Sequence, residues 1–255
     1  MKSRARGKTR IRHRYVPENA YTRGAQTRSR LIVSALKLFG QRGFDGASTR
    51  EIAAAAGLNA PALQYYFNNK EGLYAACAEH IVAQAWTGMK DVVLAAERLV
   101  GGRADDAALI DAFCAIQIKL ADFLTDAAGD WLLWIAREEI APGPARSFRL
   151  IHRQRDRIMR VKAAIIARLL RRGARDAECA LRAMSLTGEV LYFHFMRRGA
   201  LSELGWKAID AEDLALIKRI VREQTTSALQ ALRTPARPSR AARPKPRRRL
   251  SAASP

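Results

Sequence analysis

The chain has 255 residues, 49% of them hydrophobic and 27% charged, and its 45 lysines and arginines against 24 acidic residues give a net charge of +21. This length and composition are typical of a globular protein with a buried core, and three cysteines without a Cys-x-x-Cys pair argue against a disulfide-rich scaffold and for a reducing compartment. We expect neither a membrane span nor a secretory signal, because the longest uncharged stretch contains glycine, proline and asparagine and the N-terminus has no long apolar run.

Most of the positive charge lies at the two ends of the chain. Residues 1–30 carry +9 and residues 233–255 carry +8, which leaves +4 for the residues between them. Both ends have few large apolar groups, so we predict a disordered basic arm over 1–26 and a disordered basic tail over 233–255. Such tails attract nucleic acids through counterion release, although a basic tail also serves simply to keep a protein soluble.

Between the two ends, apolar residues recur three and four positions apart, which predicts an all-α chain. The first helix begins near residue 27 and is expected to end at Gly43. The second begins at Ser48, which forms the S/T-x-x-E capping box with Glu51, and ends at Gly57.

A third short helix begins after Asn59, a good N-cap, with Pro61 in its first turn, where the missing N–H costs little. A long fourth helix follows from Lys70. Glycine and proline positions then separate the remaining helices, which we place near 105–125, 130–140, 145–172, 176–198 and 211–231. The sequence thus predicts a three-helix N-terminal helix-turn-helix domain over 27–75 and a larger C-terminal helical bundle over 76–232.

Residues 48–67 form a helix, a tight turn and a second helix. The apolar side chains of the second helix point inward, which leaves Ala60, Pro61, Gln64 and Tyr65 on an outward face with no acidic residue. Small residues permit close approach to a major groove, Gln64 has the amide to contact base edges, and Tyr65 or Tyr66 can bond phosphates. The turn alone remains compatible with an ordinary helical protein, because many contain one.

The run TREIAAAAGLNAPALQYYFNNKEGLY and the preceding LKLFGQRGFDGAS resemble the DNA-binding signature of TetR/AcrR transcriptional regulators. The resemblance covers about residues 27–75. It implies that Ala60 and Pro61 face bases and that Arg50 reaches a base or a phosphate. It also implies that four residues contact phosphates, namely Thr49, Tyr65, Tyr66 and Lys70. Gln64 stands where many members have tyrosine. The Tyr66 ring also suits a place in the core, and Thr49 also suits a plain helix start.

WLLWIAREEIAPGPA at 131–145 and GEVLYFHFMRRGALSELGW at 188–206 resemble the C-terminal domain of CecR-like members of that family. The resemblance implies a homodimer in which the last two long helices pair across a two-fold axis on a palindromic operator. The apolar stripes that agree with such a face are Met184, Gly188, Leu191 and Phe195 on one helix and Leu214, Ile217 and Val221 on the other. Stripes of this kind also form ordinary core.

An effector pocket is expected inside the second domain. Its candidate lining residues, each of which also suits plain packing, are Phe113, Ile116, Trp131, Trp134, Met159, Phe193 and Phe195. His152, His194, Glu138 and Glu139 show no metal-ligand spacing, so we predict no metal and no cofactor.

These observations predict a ligand-responsive, sequence-specific DNA-binding regulator of the bacterial cytoplasm, a repressor that a small molecule releases. The alternative is an architectural protein that binds DNA without sequence preference through its basic tails. The sequence shows no glycine-rich phosphate loop and no recognisable catalytic triad, so we predict that the protein is not an enzyme.

Overall fold

The computed structural model describes residues 18–123, 129–141, 143–173 and 175–233, and the side chains of 18–23, 129–133, Arg146 and His194 lie outside its description. Within these ranges the chain forms ten α-helices and belongs to the predicted all-α class. They are α1 (Glu18–Gly46), α2 (Thr49–Ala55), α3 (Ala60–Phe67), α4 (Lys70–Gly101), α5 (Asp106–Asp122), α6 (Gly129–Ile140), α7 (Ala145–Leu170), α8 (Ala177–Phe195), α9 (Arg197–Leu204) and α10 (Ala211–Ala231). No helix in the described ranges is both long enough and apolar enough to cross a membrane.

Helix α1 begins at Glu18, inside the segment that we predicted to be a disordered arm. Extending a helix that is already packed costs little compared with starting one, so a polar segment continues a stable helix toward its N-terminus. The end of α1 agrees with the prediction, because Gly43 has φ 77° and ψ 178° and interrupts the helical backbone. The rest of the predicted basic arm, 1–17, and the predicted tail beyond Arg233 lie outside the described residues.

The caps of α2 and α3 follow the sequence closely. The Glu51 backbone N–H donates to Ser48 Oγ (3.2 Å), and the Ser48 backbone N–H donates to Glu51 Oε2 (3.0 Å), so the predicted capping box is present. Asn59 Oδ1 accepts the Ala62 N–H (3.1 Å) at the start of α3. Between the two helices Gly57 has φ 66°, a conformation that other residues adopt only with strain. The turn therefore holds α3 at a fixed angle to α2.

Helices α1 to α3 and the start of α4 enclose the N-terminal core. Leu31, Phe39, Ile52, Leu63 and Leu73 are buried there. Helix α4 then leaves this core and packs against α5 and α7 in the second helical bundle, whose main cluster includes residues of α4, α5, α7, α8 and α10. The predicted domain boundary at residues 75 and 76 thus falls inside one continuous helix.

The C-terminal end of α4 is held by an arginine of α7. Arg168 donates to the carbonyl oxygens of Val100 (2.8 Å), Gly102 (3.0 Å) and Ala104 (2.9 Å), which the end of a helix would otherwise leave without donors. Arg168 therefore ties the end of α4, where the sequence predicts a helix break at glycine, to α7 of the second bundle.

Helix α9 is a short element that we did not predict. Helix α8 ends at Phe195, earlier than the predicted residue 198, and Met196 separates it from α9. Only Ala200 of α9 is fully buried, and Gly205 with φ 69° ends the helix. A helix with so little buried surface has almost no apolar period to reveal it.

Candidate nucleic-acid interface

The outward face of α3 is the one that the sequence predicts. Leu63 and Phe67 are buried against α1 and α4, while Pro61, Gln64 and Tyr65 are exposed, with 81% of Tyr65 accessible to solvent. Helix α3 has no acidic residue, so this face does not repel a phosphate backbone. An eight-residue helix with a small first turn is able to approach a groove closely.

Helices α2 and α3 together form a shallow depression. Its lining residues are Thr49, Ala60, Pro61, Leu63, Gln64 and Asn69. Four of the predicted DNA-contacting residues are therefore neighbours in space, although two different helices supply them. Arg50 follows Thr49 and is exposed, and Lys70 follows Asn69 at the start of α4.

Asn69 is a lining residue that our sequence reading did not include. Its side-chain oxygen accepts the Gly72 N–H (2.7 Å), as expected of an N-cap, and fixes the side chain beside α3. Its side-chain amide nitrogen has no hydrogen-bond partner within the described part of the chain and is free to donate. The N-cap position was the one sequence signal that pointed to this orientation.

Tyr66 and Lys70 are both restrained by aromatic contacts. The Tyr66 ring is half-buried against the N-terminal core and lies 5.1 Å from the Tyr65 ring, edge to face. Packing thus accounts for the Tyr66 ring, whereas Tyr65 projects into solvent. Lys70 Nζ lies 4.5 Å from the centroid of the Phe44 ring, which limits where its ammonium can reach.

Glu51 is the one acidic residue in the sequence between 47 and 69, and its charge is already engaged. Hydrogen bonds from the Ser48 hydroxyl and backbone N–H, together with Arg42 at 2.7 Å, lower the pKa of Glu51 to about 2. The carboxylate stays ionised at neutral pH, but Arg42 offsets it. On α1, the Arg28 guanidinium lies 5.1 Å from the Phe67 ring centroid, so positive charge adjoins this side of α3.

Of the four residues predicted for a dimer stripe on α8, three are exposed and Leu191 is half-buried, whereas the three on α10 are buried or half-buried. Met184, Gly188 and Phe195 are exposed, and a Cβ added to Gly188 would meet no atom within 4 Å. Ile217 and Val221 are instead buried in the chain's own core with Val190, and Leu214 packs against the same cluster. Leu214, Ile217 and Val221 therefore add little to the outward surface of the single chain, because α10 uses that stripe to cover α5 and α8.

A different set of side chains completes the outward face of α8 and α10. On α8 and just after it, these are Leu181, Tyr192 and Met196, and on α10 they are Leu216 and Ile220. We refer to this set, with Met184, Gly188 and Phe195, as the α8/α10 face. Its exposed apolar area is the kind of surface that a partner covers.

The predicted effector-pocket residues do not line one cavity in the part of the chain that the structure describes. Phe113, Ile116 and Met159 belong to the main cluster of the second bundle, Trp134 belongs to the N-terminal core, and Phe193 packs on a third cluster. Phe195 is half-exposed, and the side chain of Trp131 lies outside the description. Helical spacing identified apolar residues, but it did not distinguish three separate cores.

Helix α6 ties the N-terminal unit to the second bundle through buried polar contacts, which sequence reasoning missed. The Tyr74 hydroxyl donates to Glu138 Oε1, and the Gly143 N–H donates to the same oxygen at 2.9 Å. Burial raises the pKa of Tyr74, and the Glu138 carboxylate raises it further, so the phenol keeps its proton. The Tyr74 ring also lies 4.7 Å from that of Trp134.

Arg137 of α6 makes the second part of this tie. Its Nε donates to the Gly40 carbonyl and one of its terminal nitrogens donates to the Gln41 carbonyl, each at 2.6 Å. Both carbonyls lie near the end of α1. Because α6 also contacts α8, a shift of α6 would move α1 and α4 together.

Comparison with known proteins agrees with this architecture. Residues 31–77 match the family model of bacterial regulatory proteins of the tetR family, and residues 109–232 match that of the C-terminal domain of the HTH-type transcriptional dual regulator CecR. The CecR protein of Shigella flexneri is 34% identical over 218 residues, which are 82% of this chain and 94% of the relative.

Two solved structures share the fold at low sequence identity. A transcriptional regulator from Rhodococcus sp. Rha1 aligns with a TM-score of 0.55 at 20% identity, over 81% of this chain and 98% of its own. AibR, solved in complex with isovaleryl coenzyme A and operator DNA, aligns with a TM-score of 0.55 at 16% identity, over 79% and 97%. On the match to CecR over most of both chains, this protein belongs to the TetR family of DNA-binding transcriptional regulators, not to a family of enzymes, and carries a CecR-type C-terminal domain.

Proposed function

We propose that the protein is a homodimeric, ligand-responsive regulator that recognises a palindromic operator through α2, α3 and the start of α4. The observation that carries this proposal is the depression that joins Thr49, Ala60, Pro61 and Gln64 on an acid-free face. In this proposal Gln64 contacts a base edge, while Thr49, Arg50, Tyr65 and Lys70 position the duplex through phosphates. Tyr66 contributes through the packing of its ring against the N-terminal core.

We further propose that two copies pair through the α8/α10 face. Its exposed apolar side chains lie on two helices that contact each other, and Gly188 leaves room for a second backbone to approach. A two-fold dimer presents two copies of α3 to successive major grooves, which is why the operator should be palindromic. Such a protein acts where the bacterial chromosome is, in the cytoplasm.

Ligand response is supported by the architecture and by the AibR complex, in which a protein of this fold is bound to both isovaleryl coenzyme A and operator DNA. In our proposal residues 76–232 hold the effector, and α6 conveys its effect to α1 and α4. A changed separation of the two α3 helices would break their match to the operator. The CecR relative is described as a dual regulator. We propose repression as the primary effect, with activation where the operator lies away from the promoter's polymerase site.

Arg137 offers a test of the coupling, because it does not lie on the DNA-facing side of α3. Arg137→Met removes both donors to the end of α1, so we expect the free energy of unfolding to fall by about 1–3 kcal/mol. Operator affinity should also fall, because the N-terminal unit is less ordered, and each 1 kcal/mol of binding free energy that is lost lowers the affinity about fivefold. Urea unfolding and operator titration measure the two effects.

The matched control is Arg149→Met on α7, since Arg149 is exposed and, among the described residues, makes no hydrogen bond or ion pair with α1. It should change neither quantity. If Arg137→Met lowers stability and leaves operator affinity unchanged, α6 merely braces the fold and the proposed route from effector to DNA is wrong.

The rival function, architectural binding through the tails, is separable by selection of bound genomic fragments with intact and truncated chains. The truncation should remove residues 1–17, because α1 begins at Glu18. It removes the seven cations Lys2, Arg4, Arg6, Lys8, Arg10, Arg12 and Arg14. We expect affinity to fall at every sequence, and the slope of log affinity against log salt to become shallower by up to about 0.9 per lost phosphate contact.

Sequence preference should survive that truncation, because α3 remains intact. Removal of residues 235–255 should change the salt slope less, since this segment follows α10 and is separated from α3 along the chain. A full-length protein that enriches no operator, or a preference that disappears with residues 1–17, would favour the architectural function instead.

A further inference from the structure

A lysine lies completely buried in the second bundle. Lys162 of α7 has no solvent-accessible surface, although its neighbours along the helix, Val161 and Ala163, are ordinary core residues. Helix α5 contributes Phe113 and Gln117 to its surroundings, and α8 contributes Thr187. A methionine would fill similar space without the cost of burying an ammonium group, so packing gives no reason for a lysine here.

The hydrogen-bond partners of Lys162 are neutral. Its ammonium donates to Gln117 Oε1 and to Thr187 Oγ1, and it lies 4.7 Å from the centroid of the Phe113 ring. An ammonium has three donors, and within the described residues only these two acceptors engage it. The third N–H of the ammonium is therefore able to donate to a further acceptor.

The two acceptors are themselves held in place. The Gln117 side-chain amide donates to the Leu186 carbonyl at 2.5 Å, and the Thr187 hydroxyl donates to the Ala183 carbonyl at 2.6 Å. These bonds fix which atom of each side chain points at Lys162. The cluster is therefore pre-organised around the ammonium, which lowers the cost of binding a further group there.

The charge of Lys162 has no ion-pair partner within 4.0 Å among the described residues. Glu189, on α8, attracts it from a greater distance, and Glu189 Oε2 is buried without a hydrogen-bond partner in the described structure. Burial lowers the pKa of Lys162 to about 7, and the attraction of Glu189 offsets that only in part. An anion placed against the ammonium would add a direct ion pair to this attraction from a distance.

Met159 is a flexible side chain that contacts the cluster. This side chain is only partly buried, and its sulfur lies 3.8 Å from the Thr187 hydroxyl. Methionine is unbranched and changes shape readily, so its movement would open the cluster without moving a helix. The Phe113 ring and the Met159 side chain would then border an apolar space next to a positive charge.

We infer that Lys162, Gln117 and Thr187 form the anchor for the anionic head of the effector, a small organic acid whose apolar part lies against Phe113 and Met159. This inference rests on the proposed function, in which the second bundle holds the effector. Carboxylate is the group that fits, because it accepts from the free ammonium donor and is small enough to enter a packed bundle.

The test uses the full chain and three carboxylates, octanoate, decanoate and benzoate, each paired with its neutral alcohol, octanol, decanol or benzyl alcohol. Thermal unfolding and titration calorimetry measure binding. We expect at least one carboxylate to raise the unfolding midpoint by about 2–5 °C at concentrations well above its Kd, while its alcohol has little effect.

Lys162→Met should weaken binding of that carboxylate at least tenfold, and Thr187→Val should weaken it less. Glu189→Gln should strengthen it severalfold, because it removes a carboxylate that competes for the same ammonium. Lys90→Met, at an exposed position on α4, is the control and should leave the affinity unchanged. Tighter binding by Glu189→Gln and weaker binding by Lys162→Met cannot both come from misfolding.

The inference is wrong if no carboxylate binds, if the alcohols bind as tightly, or if Lys162→Met binds as the unmodified chain does. Its fate is separable from that of the proposed function. A carboxylate that binds through Lys162 but leaves operator affinity unchanged supports the site and contradicts ligand-responsive regulation. Release of the operator by a neutral molecule, with no carboxylate bound through Lys162, supports ligand-responsive regulation and contradicts the site.

Discussion

Replacing Gln64 with alanine is expected to alter which operator the protein prefers. A glutamine on the exposed face of a recognition helix pairs its amide with the N6 and N7 atoms of adenine, and such a contact contributes about 1–3 kcal/mol of discrimination. Gln64 is exposed and lines the depression between α2 and α3, so it is placed for this role. We therefore expect a loss of about 5- to 150-fold at the preferred base and little loss at others.

Lys70→Met is the matched comparison, because Lys70 lies at the same edge but is proposed to contact phosphate. It should weaken binding to all sequences about equally and reduce the salt slope by about 0.9. Titrating both variants against operators that differ at single base pairs separates the two roles. An unchanged preference in Gln64→Ala would assign sequence reading to another residue.

The helix-turn-helix was predictable because its determinants are local. Ser48 and Glu51 lie three residues apart, Asn59 caps α3 through Ala62, and Gly57 supplies the turn's positive φ. Each of these contacts spans only a few residues, so both partners are recognisable within one short stretch of sequence. The resemblance to TetR-type regulators rests on the same short segment, and the comparisons confirm it.

The direction in which α10 faces was not predictable in this way. A helix with apolar residues at 214, 217 and 221 and also at 216 and 220 has two adjacent stripes, and either one can face the core. The choice depends on α5, which is about a hundred residues away in sequence and covers Ile217 and Val221. Periodicity identifies the stripes but not their neighbours.

The buried polar contacts of α6 and of the second bundle were not predictable for a related reason. Tyr74 and Glu138 are 64 residues apart, and Lys162 and Gln117 are 45 apart. A lysine or glutamate in a helical sequence is read as a solvent-facing residue, because such residues are rarely buried. The sequence pattern therefore indicates apolar residues as the pocket lining and gives no sign that Lys162 is buried.

The largest effect is expected at the α8/α10 face. Met184 is 57% exposed in the single chain, so arginine is tolerated there before assembly, but in a dimer it would place an unpaired charge in an apolar seam. We expect Met184→Arg to keep its helical content and to sediment as a monomer at micromolar concentration. Operator affinity should fall by at least 100-fold, because two linked recognition helices bind far more tightly than one.

Two further substitutions show whether that loss comes from the interface. Ile140→Arg, at an apolar position on α6 that is 85% exposed, should leave both the dimer and operator binding intact. Val221→Arg should unfold the second bundle rather than split a dimer, because Val221 is buried in its own chain against Val190. A Met184→Arg protein that remains dimeric would show that the copies pair through another surface, whereas an unmodified chain that sediments as a monomer would contradict the palindromic operator itself.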